Sequence, residues 1–207
     1  MIPAIEALER LKDGNRRFVE DTRSQETLTS RRREVAAGQE PVAIILGCSD
    51  SRVPAEIIFD QGLGDLFVIR IAGNVVAPSG VGSVEFAAER FHTKLVVVLG
   101  HSRCGAILAT IEELGRPSES QSKNLRSIVD RVRPSVESLM ATDLKNHPED
   151  LVHAAVRANI RASANQLRHG SEVLENAIQN NGLLVVGAEY CLETGVVDFF
   201  DGVPKAK

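Results

Sequence analysis

The sequence predicts an α/β fold: a mainly parallel central β-sheet flanked by helices, with an N-terminal helical arm and a candidate antiparallel edge strand. Three observations predict it. Short continuous apolar runs recur along the chain, helical stretches alternate with them, and two of the runs end in segments dense in thiol, imidazole and carboxylate groups. Buried strands alternating with helices are the signature of a parallel sheet. The carboxyl ends of such strands are where ligands and active sites collect.

In chain order, residues 5–19 carry Ile5, Leu8, Leu11 and Phe18 with charges between them, which predicts an amphipathic helix. Residues 30–37 predict a short second helix stopped by Gly38. Its Arg31, Arg32 and Arg33 read as a solvated face, with Glu26 and Glu34 nearby. Residues 42–47 form an apolar run after Pro41, as expected of a strand buried on both faces. Similar runs follow at 66–71, 94–100 and 183–187, and helices are expected at 54–58, 80–91 and 105–114. Residues 124–140, 150–168 and 172–180 predict further helices, and 117–121 a loop. Residues 196–200 are the edge strand, entered through a turn at Glu193, Thr194 and Gly195. With no internal repeat, low-complexity tract or linker, the chain reads as one domain over 1–207, with 1–38 as the arm and 41–200 as the core.

The 207 residues suffice for one full hydrophobic core. A formal net charge of −4 provides no global field for nucleic acid or an anionic membrane. Seven Phe, one Tyr and no Trp make a base-stacking surface hard to build. The longest apolar runs are too short to span a bilayer, and the first eighteen residues mix acidic and basic groups unlike a signal peptide. A cytoplasmic protein is expected. Three cysteines, Cys48, Cys104 and Cys191, are an odd number, which favours metal or catalytic use over a disulfide framework.

The chemistry concentrates after two of the strands. One runs into Cys48, Ser49, Asp50, Ser51 and Arg52, the other into His101, Ser102, Arg103, Cys104 and Gly105. Two thiolates and an imidazole suit zinc by softness and tetrahedral preference. Asp50 is a harder, more replaceable ligand, and Arg52 is its natural bidentate partner, so Asp50 either closes the zinc shell or is drawn away. With Asp50 bound, the complex is anionic and has no place for substrate. With Asp50 released, a water enters whose pKa zinc brings towards roughly 7. Two thiolates acidify that water less than three imidazoles would. Cys191, with no second ligand beside it, reads as a buried thiol. His92, His147, His153 and His169 read as surface or helix-face residues.

The runs from Cys48 to Pro54 and from His101 to Gly105 resemble the two zinc motifs of the β-class carbonic anhydrases, in a plant-like, bacterial-type branch. The resemblance extends over nearly the whole chain, with Arg70 to Asn74 and Gly187 to Tyr190 also similar. It implies reversible hydration of CO2 to bicarbonate and a proton by zinc-bound hydroxide, with one Zn2+ per chain on Cys48, His101 and Cys104. Asp50 and Arg52 would be the switching dyad. The resemblance further implies substrate-binding roles for Gln39, nine residues before Cys48, for Phe67 and Phe86 as pocket aromatics, and for the amide of Gly105. It implies a homodimer or dimer of dimers with sites at the interface, the N-terminal helix embracing the partner, and no nucleic-acid or membrane partner. A bicarbonate-regulated branch uses a tryptophan, an arginine and a tyrosine. Arg70 and Tyr190 match two of these positions but Ile45 stands at the third, so the resting site is expected open, with Asp50 paired to Arg52. The competing readings are a CS2 or COS hydrolase on the same scaffold and a non-catalytic zinc-stabilised binding module.

Overall fold

The computed structural model describes residues 2–23, 28–115 and 122–205, with the backbone alone at 28–30. Its sheet has the order β2-β1-β3-β4-β5, formed by Ala43–Gly47 (β1), Leu66–Arg70 (β2), Leu95–His101 (β3), Leu184–Tyr190 (β4) and Val197–Asp201 (β5). The first four strands pair in parallel, with Ile44 opposite both Phe67 and Val96 and Leu95 opposite Leu184. The fifth pairs antiparallel with β4, setting Tyr190 against Val197, as the 196–200 segment predicts.

Period-two alternation in the central strands sends side chains into two separate cores. Ile44, Leu46, Val96 and Val98 face one core, and Ile45, Val97, Leu99 and Val186 the other. The second face is covered by helices Ala4–Val19 (α1) and Ala55–Ile58 (α3), through Ala7, Leu8, Leu11 and Ile58. The first is covered by Pro78–Arg90 (α4), Gly105–Gly115 (α5), Lys123–Met140 (α6), Pro148–His169 (α7) and Glu172–Asn180 (α8). Each fully buried Leu, Ile or Phe contributes about 1.5–3 kcal/mol, which makes these two layers the source of the fold's stability.

The arm is tied to this chain's own core. Asn15, buried on α1, donates to the carbonyls of Ile58 and Gly195 and accepts from the amide of Val197. The second helix, Leu28–Glu34 (α2), passes into a single 3-10 turn at Val35–Ala37 before Gly38. Arg31 there is not merely solvated: it pairs with Asp65 at 2.7 Å and donates to the Leu63 carbonyl. The predicted 117–121 loop lies outside the described residues.

Two strands differ from expectation. β2 has the same apolar character as β1, yet beyond Leu66 it is only half-buried because it is an edge strand. β4 runs three residues past Gly187, because Glu189 and Tyr190 find partners in the sheet and in α7. No helix among the described residues is long and apolar enough to cross a membrane.

Candidate metal centre and active site

β1 and β3 lie side by side in parallel, with Gly47 opposite Leu99, so both deliver their following residues to the same end of the sheet. Cys48 comes directly after β1, and His101 is the last residue of β3. Ser102 is anchored to the end of β4: its amide donates to the Tyr190 carbonyl and its hydroxyl accepts from the Leu192 amide. Arg103 takes a left-handed conformation (φ 55°), which reverses the chain and turns Cys104 back to the start of α5.

The result is a buried triangle. The ligand atoms of Cys48, His101 and Cys104 all lie within 4.8 Å of one another. Among the described residues, no other three His, Cys, Asp or Glu side chains form such a group. His101 is fully buried, and its Nδ1 lies 2.9 Å from the Ser102 carbonyl. A carbonyl oxygen only accepts, so Nδ1 carries the proton and Nε2 presents its lone pair. That Nε2 is buried and makes no hydrogen bond among the described residues. Two thiols and an orphaned imidazole nitrogen are donors of the kind zinc takes. The residues fit the ion.

The thiols are electrostatically uneven. Cys48 is drawn down from the usual thiol range, chiefly by the hydrogen bond from Cys104 and, more weakly, by the backbone amides of Asp50 and Gly73. Cys104 moves up, first because it donates to Cys48 and then because it is buried. A dication bound to both sulfurs would displace their protons. The Gly73 amide donates to Cys48 Sγ at 3.4 Å from the turn after β2.

Asp50 lies beside this triangle, held by Arg52. Arg52 Nε reaches Oδ1 at 2.9 Å, Nη2 reaches Oδ2 at 2.7 Å, and the Arg52 amide also donates to Oδ1. This fork holds the Asp50 carboxyl well below the usual carboxylate range, the Arg52 side-chain hydrogen bonds being the largest cause. Asp50 Oδ2 is 3.8 Å from His101 Nε2, yet the carboxylate is not part of the mutually close donor group. Arg70 fixes the loop from behind by donating to the carbonyls of Cys48 and Asp50.

The substrate residues implied by resemblance are distributed otherwise. Gly105 follows Cys104 directly and opens α5, where nothing would meet an added Cβ within 4 Å. Phe67 and Phe86 sit 6.2 Å apart in a cluster completed by Phe91, and Phe86 is 53% exposed. Phe67 pairs opposite Ile44, four residues before Cys48 and about 13 Å away along the strand. Gln39 is exposed in a separate cleft with Arg31, Val35 and Gly64. Within one chain, neither Gln39 nor the phenylalanine cluster is gathered around the donor triangle.

Other expectations divide. Ile45 is fully buried in the core and Tyr190 meets Phe18 in a tilted ring pair, while Arg70 is occupied with backbone carbonyls. His147 and His153 are exposed on their elements, as read from the sequence. Cys191 is not a buried thiol: it is half-exposed in the turn after β4, and the Thr194 side chain lowers its pKa. Sequence reasoning passed over Asn159 and Ser163, whose one visible signal is a pair of polar residues on the apolar stripe of α7.

Residues 43–197 match the family model described as carbonic anhydrase. A relative from Mycobacterium tuberculosis, carbonic anhydrase 2, is 39% identical over 193 residues, 92% of this chain and 90% of that protein. A carbonic anhydrase from Mycolicibacterium smegmatis is 37% identical over 195 residues, 94% and 92% of the two chains. The β-carbonic anhydrase CafA of Aspergillus fumigatus superposes with a TM-score of 0.75 at 25% identity, over 97% of this chain and 92% of that one. One of two tetrameric β-carbonic anhydrases from Sordaria macrospora gives 0.70 at 25% identity, over 81% and 84%. A Cys-His-Cys triangle at the carboxyl ends of neighbouring parallel strands, on a chain matched over most of its length, is that of an enzyme: the chain belongs to the carbonic anhydrase family, in its β class.

Proposed function

We propose that the protein catalyses the reversible hydration of carbon dioxide to bicarbonate and a proton, with one zinc ion per chain on Cys48, His101 and Cys104. The observation that carries the reading is the bidentate Asp50–Arg52 pair, which holds the carboxylate beside the triangle and outside its donor group. Zinc on these donors supplies a Lewis acid that brings the pKa of a water towards neutrality. Arg52 keeps Asp50 ionised and turned away from the three donors. Asp50 then accepts a hydrogen bond from the attacking water and aims its lone pair at the carbon of CO2. The Gly105 amide, at the positive end of α5, donates to the oxygen on which negative charge develops. Arg70, by fixing the carbonyls of Cys48 and Asp50, holds ligand and gate in one rigid loop.

CO2 carries no charge, and a small apolar pocket selects for it. Because Gln39 and the Phe67–Phe86 pair stand away from the triangle in one chain, we assign the completion of that pocket to a second copy in a homodimer or dimer of dimers. Three unpaired thiols suit a reducing compartment, and we place the enzyme in the cytoplasm.

Stopped-flow CO2 hydration across pH, on zinc-loaded protein beside a Cys48→Ala control, tests the reading. Zinc-dependent turnover in the wild type alone is expected, and its absence at every pH would sink the enzymatic assignment. COS and CS2 run in the same assay separate the hydrolase alternative. Sedimentation of the intact chain tests the assembly: a monomer with full activity would remove the partner's role.

A further inference from the structure

The turn that donates to Cys48 is held by a helix from elsewhere in the chain. Gly73 and Asn74 both have left-handed backbones, at φ 67° and 45°. Asn159 Nδ2 donates to the Gly73 carbonyl at 2.7 Å, and Ser163 Oγ donates to the Asn74 carbonyl at 3.0 Å. These side chains are four residues apart on α7, hence on one face, and both are at least 95% buried. Ile160, next to Asn159, lies over the backbones of Gly100 in β3 and Gly187 in β4, where an added Cβ would stand 2.6 and 2.8 Å from it. A single helix is therefore keyed both to the strand carrying His101 and to the turn that touches Cys48.

We propose that Asn159 and Ser163 are positioning residues for the metal centre: by gripping two consecutive carbonyls they aim the Gly73 N–H at the Cys48 sulfur. The argument rests on what the turn lacks. Gly73 has no side chain to fix its own peptide planes, and a left-handed glycine rotates easily. On its far side the turn meets α5, since a Cβ at Gly73 would lie 3.0 Å from that of Ala106. The clamp from α7 holds its two carbonyls. A hydrogen bond to a thiolate draws charge from the sulfur and orients its lone pairs, which tunes the strength of the metal–sulfur bond. Two polar side chains set into an apolar stripe, each spent on a backbone carbonyl of this turn, have that effect. The inference rests on Cys48 being a metal ligand.

The test uses the full-length protein loaded with cobalt(II) or zinc, with three readouts: chelator competition, the sulfur-to-cobalt charge-transfer band, and thermal melting. Asn159→Ala is expected to weaken zinc binding about 10- to 100-fold and to move the band to longer wavelength, because an unbonded sulfur gives up charge more easily. Ser163→Ala is expected to do the same to a smaller extent, and carries the test alone should Asn159→Ala not fold. Ile160→Val, which loosens the same helix and leaves both carbonyl hydrogen bonds in place, is expected to lower the melting temperature and leave affinity and band unchanged. Wild-type affinity and band in the hydrogen-bond variants would overturn the clamp, as would an equal shift in Ile160→Val at matched melting loss. Absence of any sulfur-to-cobalt band in the wild type would overturn the metal centre itself, and the clamp with it.

Discussion

At the carboxyl end of β1 and β3, three ligand atoms lie within 4.8 Å of one another with almost no surface exposed, whereas at the amino end of β3 and β4 a cleft of about 1030 Å³ opens between α4 and α8. The roomier end is lined by Glu89, His92, Lys94, Glu172 and Asn176, a set rich in titratable groups. None of these belongs to a close donor group, and His92 sits at a left-handed corner (φ 53°) that turns the chain from α4 into β3. The difference teaches that volume and polarity do not make this site. Convergence does: donors on two adjacent strands, each with its free valence turned inward, at the end where a parallel sheet gathers its loops.

His101→Ala is the largest break in that contrast. It removes the one buried imidazole donor and is expected to drop CO2 hydration to the uncatalysed background and zinc content far below one per chain, read by stopped flow and elemental analysis. Next comes Arg52→Gln, which releases Asp50 from its bidentate partner, with an expected loss of about 10²-fold in kcat/KM. The same variant sharpens the electrostatics. Arg52 depresses the Asp50 carboxyl in the folded state. The pair's contribution to stability is therefore complete above the unfolded value of about 3.9, and is lost as pH falls through the folded value. In metal-free protein, the stability gap between wild type and Arg52→Gln should be flat from about pH 7 to 5 and should narrow below about pH 4. A gap that widens on acidification would contradict the pairing.

Gly100→Ala tests the packing under the site. Its Cβ would come within 2.6 Å of Ile160, an overpacking expected to cost about 1–3 kcal/mol in urea unfolding. A neutral result would mean that α7 yields there. The smallest effects belong to the other end of the sheet. His92→Asn, which keeps a residue tolerant of the left-handed corner, and Lys94→Ala are each expected to stay within about 0.5 kcal/mol of wild type. Neither should change CO2 hydration. A large loss of turnover in either would dissolve the distinction between the two ends.

The strands that carry the donors were legible because β1 and β3 are fully buried, so local apolarity and tertiary position agree. β2 has equally apolar residues at the sheet edge, where no local pattern reveals exposure. The extension of β4 was hidden because Glu189 looks like a strand breaker until Arg157, thirty-two residues earlier, meets its charge. Of the site, Cys48, Asp50, Arg52, His101 and Cys104 announce themselves by residue type and spacing. Asn159 and Ser163 do not, since an asparagine and a serine on a helix acquire meaning only when the carbonyls they bind are seen. Cys191 was misplaced for a related reason: whether a thiol after β4 turns inward depends on where that strand ends.

The parallel crossover between β1 and β3 also gives the metal centre a history. His101 and Cys104 are three residues apart and can offer two donors to a metal ion in an unfolded chain, but Cys48 lies 53 positions upstream of His101. It joins them only when β2 and α4 have folded back and the two strands lie side by side. Such distant parallel pairings form slowly. A growing or refolding chain would therefore offer a metal ion two donors before it offered the third. Once the sheet has closed, an ion held by Cys48, His101 and Cys104 would have donors at the ends of two adjacent central strands, and their pairing would slow its release.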